Sequence, residues 1–196
     1  MPAYLLDSNL YRYMHNDNNQ AYQAAAKEFF TTLRQEIADS DGQSFILLSA
    51  EVKCELEVQM QTLKDRDQRI ISGMLEGYTP VSTTFPADLE HDLRKFSNYI
   101  RSTKFNGIFK DPNYRLDYLR VSDTRILVDS YVNDAVLVTA NIKDFITYSV
   151  FCEPGEKKLY DFLNKRYIEV SPEARAMLTE DPSYLSIRAK LEALQL

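Results

Sequence analysis

Residues 123–145 read DTRILVDSYVNDAVLVTANIKDF, and the period of the apolar positions changes halfway along the segment. Ile126, Leu127 and Ser130 share one helical face, so a helix is expected from Asp123 to Tyr131. Asn133-Asp134 is a turn dipeptide, because both side chains can bond nearby backbone and both tolerate left-handed conformations. Ala135 to Thr139 is then an apolar run of strand length. Asp123 opens the helix and Asp144 follows the strand, so this one segment sets a carboxylate at each of two junctions.

The same alternation recurs on both sides. Ala3 to Leu6 is a short apolar run that ends in Asp7-Ser8-Asn9, as a buried strand does when its carboxyl end delivers polar groups. Between Gln20 and Ile37, Tyr22, Ala25, Ala26, Phe29, Phe30 and Leu33 recur at helical spacing. Phe45 to Leu48 reads as a second strand, and Ser49 then caps a helix that could run from Glu51 to Leu75, with Val52, Leu56, Met60 and Leu63 on one stripe. Gly77 and Pro80 stop it, and Val81 to Thr84 reads as a short extended piece. Leu89, Leu93, Phe96, Ile100 and Phe105 predict a helix over 88–109, ended by Asp111-Pro112-Asn113. Tyr167 to Val170 is the last strand candidate. Ser171-Pro172 and Asp181-Pro182 each pair a capping residue with proline at the first helical position, which predicts two short helices forming a lid or docking arm.

Strands separated by helices predict an α/β fold with a central parallel sheet, whose functional groups gather beyond the carboxyl ends of its strands. With 44% apolar residues, the 196-residue chain can bury a sizeable core, and no linker-like tract or internal repeat divides it. The opening Met-Pro-Ala-Tyr-Leu-Leu-Asp lacks a basic stretch, and its apolar run breaks at Asp7. Neither a signal peptide nor a membrane span is expected, and the location is read as cytoplasmic. Cys54 and Cys152 have no His or Cys at ligand spacing, which argues against zinc and a disulfide framework. A net charge of −6 argues against binding nucleic acid over the whole surface. A cluster of carboxylates around a bound cation is still compatible with it, since the cation reverses the field that a phosphate meets.

Hydrolysing a phosphodiester needs an activated water and charge neutralisation at phosphorus, and Mg²⁺ or Mn²⁺ on hard carboxylate oxygens provides both. Asp7, Glu55, Asp123 and Asp144 each belong to a different strand–helix junction. Taken singly they are ordinary, since 29 residues are Asp or Glu and Asp123 alone reads equally well as a helix cap. Asp7 is harder to dismiss, because an acid directly after an apolar strand is partly buried and needs a partner or a metal.

Together the motifs resemble the PIN-domain family, with VapC-like toxin ribonucleases as the nearest type. Leu5-Leu6-Asp7-Ser8-Asn9 is similar to its opening signature, and Ser49 to Leu56, with Glu55-Leu56, to its second motif. Asp123-Thr124-Arg125-Ile126 through Leu137 to Phe145 is similar to the third and fourth, including the sixteen-residue step from Asp123 to Thr139. The resemblance implies a compact α/β metal-dependent endoribonuclease that binds Mg²⁺ or Mn²⁺ through Asp7, Glu55 and Asp123, with Asp144 as a fourth acid. It further implies an RNA substrate, an antitoxin protein as partner of a type II toxin–antitoxin pair, and a homodimer. Residues 1–170 would form the PIN-like nuclease domain, with 58–119 as a helical insertion and 171–196 as a C-terminal helical extension.

Some relatives carry Asp where this chain has Asn141, and that departure keeps open an alternative: a PIN-fold scaffold with weak or no catalysis that acts through protein binding. Glu51 rivals Glu55 as the second acid, being one turn away on the same face. Ser8 and Thr139 are candidates for orienting the carboxylates. Lys64, Arg66, Arg69, Arg94, Lys95, Arg101 and Lys104 could grip RNA, although a solvated face mixed with Asp65, Asp67, Glu90 and Asp92 explains them as well. The 13 Tyr and 10 Phe are read as core more than as stacking platforms, and His15 and His91 receive no role. A nucleotide-binding α/β protein is disfavoured, because the 5 glycines form no phosphate loop.

Overall fold

The computed structural model describes residues 2–15, 17–102 and 116–195. Its strands are β1 (Ala3–Leu6), β2 (Phe45–Ser49), β3 (Thr79–Val81), β4 (Val136–Thr139), β5 (Leu159–Asp161) and β6 (Arg166–Ile168). Its helices are α1 (Ser8–Met14), α2 (Gln20–Asp39), α3 (Ala50–Met60), α4 (Asp65–Leu75), α5 (Ala87–Ile100), α6 (Val121–Val132), α7 (Ile142–Phe151), α8 (Pro172–Thr179) and α9 (Pro182–Glu192). The strands form one sheet in the order β3-β2-β1-β4-β5-β6, with all neighbours parallel except β6, which runs antiparallel to β5. The molecule thus has the expected α/β architecture of a central, mostly parallel sheet flanked by helices.

Strand order locates the site. From β1 the chain works outward to β2 and β3, then returns across β1 to β4, so successive connections leave in opposite directions at the β1–β4 boundary. In such sheets the crevice opens beyond the carboxyl ends of the strands that flank this switch point. Every residue of β1 and β4 is buried, as suits central parallel strands covered on both faces. The backbone N–H of Asp7 still donates to Val138 O at 3.0 Å, which extends the β1–β4 ladder by one residue and fixes where its side chain emerges.

The turn into β4 is equally determined. Asp134 sits at φ 51°, and the amides of Asp134 and Ala135 donate to the carbonyls of Tyr131 and Ser130 at 3.1 and 2.9 Å. That pair of bonds closes α6 with a left-handed residue, a conformation Asp tolerates better than most. Lys158 Nζ, 2.6 Å from Asp134 Oδ1, holds the turn from outside.

Four expectations need adjustment. The helix expected from Glu51 to Leu75 is two helices, because Thr62 Oγ1 turns back to bond Gln59 O at 2.8 Å and Asp65 and Asp67 start a new first turn at α4. The stretch 58–119 is not wholly helical: it contributes β3, two residues ahead of the expected extended piece. Pro80 is tolerated there because β3 is an edge strand and its outer side has no ladder to complete. Strand β5 was missing from the sequence reading, and the final strand spans Arg166–Ile168, where Tyr167–Val170 was expected. Helix α5 ends at Ile100, and its expected continuation through Phe105 lies outside the described residues, as does the break at Asp111-Pro112-Asn113.

The two C-terminal helices are capped as their sequences require. Ser171 Oγ accepts from Ala174 N at 3.2 Å, and Asp181 Oδ1 accepts from Ser183 N at 2.9 Å. Among the described residues of this stretch none lines the acidic cleft. Instead α9 buries Tyr184, Ile187 and Leu191 in the core, with the Tyr184 ring stacked on Phe151 at 5.4 Å. Among the described residues no helix is long and apolar enough to cross a membrane.

Candidate active site

Asp7 is held where β1 and β4 end. It is 5% exposed, and its Oδ2 accepts from Thr139 Oγ1 at 2.6 Å and from Asn9 Nδ2. Thr139 Oγ1 in turn accepts from Asn141 N at 2.8 Å, and Asn9 Oδ1 accepts from Ala140 N at 3.3 Å. Asn9 and Thr139 therefore stitch the loop after β1 to the loop after β4, with the carboxylate at the centre.

Glu55 lies on α3, about one and a half turns beyond β2. Ser49 sets the direction of that helix: its Oγ accepts from Glu51 N at 3.2 Å and donates to the buried Asp129 at 2.6 Å. Asp129 also accepts from Thr83 N at 2.8 Å, so it fastens β2, α6 and the segment after β3 together. Ser8 Oγ donates to Glu55 Oε2 at 2.6 Å; it also lies 3.4 Å from Asp7 Oδ1, but a hydroxyl has one proton and the shorter contact takes it. The rival Glu51 lines the same cleft but is paired there, accepting from Arg125 Nη1 at 3.1 Å, while the same guanidinium reaches Glu90.

Asp123 is not the N-cap of α6, which is Arg120, but stands three residues into it. Its Oδ2 accepts from Arg120 N at 3.2 Å, the return bond of a helix cap, while the residue also lines the cleft. Asp144 holds the corresponding position in α7, where Asn141 Nδ2 donates to its Oδ2. Lys143 turns to Asp117 at 2.8 Å.

These four acids come from four separate elements and line a single cleft. Burial pushes Asp7 up to about 7, with the charges of Glu55 and Asp123 adding to it and the Thr139 hydrogen bond opposing it. Asp123 is pushed up to about 6, again by burial first and then by Asp144 and Glu55. Asp144 is raised mainly by burial, against the Asn141 hydrogen bond and the Lys143 charge. Among the described residues no three His, Cys, Asp or Glu side chains are drawn together into a ready coordination sphere; the carboxylates ring the cleft instead. Their chemistry fits a hard divalent cation: all donors are oxygen, three of the four acids are buried, and a cation offsets the burial and the added repulsion that hold their protons.

Arg12, Arg120, Lys143 and Gln59 also line the cleft and were not singled out from the sequence. Arg12 and Gln59 carry a signal in hindsight, since they lie one turn beyond Asn9 and Glu55 on α1 and α3. Most of the basic residues considered for RNA binding are occupied. Arg94 meets Tyr118, Lys95 is 3.8 Å from Asp92 and Arg101 is 3.7 Å from Asp117; Lys104 lies outside the described residues. The large aromatics do fill the core, with Tyr11, Tyr148, Phe145, Phe151 and Phe162 fully buried.

Comparison with protein-family models and with curated proteins gives no match. Among solved structures, the crystal structure of VapBC2 from Rickettsia felis bound to a DNA fragment from their promoter is similar over 74% of this chain and 91% of that one, at 20% identity and a TM-score of 0.45. The crystal structure of FitAcB from Neisseria gonorrhoeae matches over the same shares, 74% and 91%, at 15% identity and a TM-score of 0.41. At these identities and TM-scores, any functional reading has to stand on the site.

Proposed function

We propose that the chain is a Mg²⁺- or Mn²⁺-dependent endoribonuclease of the PIN type, the toxin half of a cytoplasmic toxin–antitoxin pair, with its antitoxin as protein partner. The observation that carries this reading is the convergence of Asp7, Glu55, Asp123 and Asp144 on one cleft at the switch point of the sheet, two of them with strongly raised proton affinity. Asp7, Glu55 and Asp123 would hold the cation, with Asp144 as the fourth acid. When bound, the cation supplies an acidified water as nucleophile and offsets charge on the scissile phosphate.

The remaining work falls to residues of the chain. Thr139 and Asn9 orient Asp7, Ser8 orients Glu55 and the Arg120 amide orients Asp123, so one oxygen of each carboxylate is fixed by a neutral donor. Such partners keep ligands from collapsing onto one another and set their direction toward the cleft. Arg12 and Arg120 on the rim offer positive charge to the backbone on either side of the cut. The scaffold reading draws on Asn141, which stands where some relatives carry an acid and whose amide is bound to Asp144.

The test is cleavage of a mixed RNA pool by purified protein with Mg²⁺, Mn²⁺ or EDTA, run beside Asp7→Asn and Asp123→Asn. Cation-dependent cutting that disappears in both variants is expected. Cutting that persists in EDTA or in both variants refutes the site, and loss of both cutting and cation binding in the native chain leaves the scaffold.

A further inference from the structure

Helix α2 leaves a cavity of about 220 Å³ against β1, β5 and β6, and it shares no lining residue with the acidic cleft. Five aromatic residues form most of its wall. Tyr4 and Phe162 are 7% and 1% exposed, Phe29 and Tyr160 are half-buried, and Tyr167 at the rim is 36% exposed. The Phe29 and Tyr160 rings meet at 5.6 Å and 32°, and the Tyr160 and Tyr167 rings at 4.9 Å and 60°. The rings therefore turn around the wall instead of forming one stack.

The charged groups of the lining are Glu28, Glu36 and Lys165. Lys165 Nζ lies 2.6 Å from Glu28 Oε1, and both side chains are more than half exposed, so this pair balances itself in solvent. Glu36 forms no ion pair among the described residues; the neutral Tyr4 hydroxyl donates to its Oε1, which leaves the cavity one net negative charge. Burial first, and then Glu36, hold the Tyr4 hydroxyl well above its ordinary value, and burial and Glu36 raise Tyr167 too. The field of this carboxylate thus reaches both the floor and the rim.

Ring faces are electronegative, so an aromatic wall with an unbalanced carboxylate disfavours an anion and attracts a cation that carries apolar surface. Tyr167 already draws one of the chain's own: Lys157 Nζ, which is not part of the lining, lies 5.8 Å from its ring centroid. At about 30 Å³ for each water, the cavity has the room of about seven waters, enough for one short alkyl chain and not for a continuing polypeptide.

We propose that this cavity binds a small free alkylammonium, with the ammonium between Glu36 and the rings and the carbon chain against Tyr4, Phe29 and Phe162. A charge-assisted bond to Glu36 and the ring faces replace the water that the ammonium loses. The proposal is independent of the ribonuclease reading.

The experiment titrates the full chain with n-butylammonium chloride at constant ionic strength, followed by amide nitrogen–proton correlation spectra, with n-butanol as the neutral isostere. Shifts confined to residues 25–36 and 159–168 are expected, with a millimolar Kd and at least about tenfold weaker binding of butanol. Glu36→Gln is expected to weaken binding about tenfold and Tyr167→Leu about threefold to tenfold. Lys165→Ala, which leaves Glu28 unbalanced, should tighten it about threefold, an effect that a purely structural role would not produce. Glu57→Gln removes the same charge from α3, outside both cavities, and is expected to change nothing. No measurable binding, shifts confined to the acidic cleft, equal binding of butanol, or equal loss in Glu36→Gln and Glu57→Gln overturns the site. Tighter binding of a capped Gly-Lys-Gly peptide than of butylammonium overturns the free ligand and assigns the cavity to a partner's lysine.

Discussion

Asp7→Asn should make the cation-free protein more stable at alkaline pH while removing a site residue. Burial, aided by Glu55 and Asp123, raises the Asp7 carboxyl from its ordinary 3.8 to about 7. The folded state therefore binds this proton more tightly than the unfolded chain does. Stability is then highest below about pH 4, falls as pH rises to about 7, and is level beyond. Three decades of proton affinity at about 1.4 kcal/mol each put the cost of the ionised, cation-free carboxylate at about 4 kcal/mol. Asn carries no charge and escapes that cost. That figure is already net of the Thr139 hydrogen bond, which favours the ionised form and lowers the Asp7 value.

The gain is thus about 4 kcal/mol, or about 8–16 °C in Tm for a chain of this size. Thermal melting by circular dichroism in EDTA reads it directly. The variant is expected to melt above the native chain at about pH 8, and the two to converge below about pH 3, where Asp7 is mostly protonated in both states. Added Mg²⁺ at about 100 times Kd should narrow the gap to about 1 kcal/mol, since binding to the native fold contributes about 2.7 kcal/mol that the variant forgoes. A variant that melts below the native chain in EDTA at alkaline pH would refute the claim that Asp7 is a buried, uncompensated charge.

Glu55 and Glu51 should separate cleanly in the cleavage assay. Glu55→Gln is expected to lose at least the 10- to 100-fold that an outer metal partner typically costs, about the least a direct ligand can cost, whereas Glu51→Gln changes the rate by less than about threefold, because Arg125 already holds Glu51. Phe151→Ala should destabilise the fold by about 3–5 kcal/mol in urea melts, since it removes a fully buried ring that stacks on Tyr184 and meets Phe96 at 5.4 Å. A cost below about 1 kcal/mol would mean that α9 is not part of the core.

The parts of the fold that were legible in the sequence are those with a local cause. The β4 segment announces itself because the turn chemistry of Asn133-Asp134 and the buried run after it agree, and the caps at Ser171 and Asp181 work through bonds within three residues. Strand β5 was not legible because three residues show no period. What makes Leu159–Asp161 a strand is pairing with β4 on one side and β6 on the other, together with Asp161, which accepts from the amides of Leu163 and Asn164 at 3.0 and 3.1 Å to turn the chain back. The break between α3 and α4 was hidden in the same way, since an apolar stripe runs on through Leu63 whether or not Thr62 bonds back to Gln59. The rim residue Arg120 was invisible because nothing local marks a charge that matters only where two distant loops meet.

The acids were legible for a further reason, which also explains how the chain can gather them at all. Asp7 is the N-cap of α1, and Asp123 and Asp144 lie in the first turns of α6 and α7. Three of the four carboxylates thus stand at the positive ends of helix dipoles, each worth about 0.3–1 kcal/mol to an ionised group. A residue type favoured at a helix start for local reasons is carried by the sheet topology to the crevice beside β1 and β4. The dipoles recover only part of the roughly 4 kcal/mol that burial and mutual repulsion cost at Asp7 alone. Glu55, in the second turn of α3, has no such help beyond Ser8. The uncompensated remainder is the term a divalent cation can convert into binding energy, so cation affinity and the alkaline instability of the cation-free protein should fall together in any variant that neutralises one of these acids.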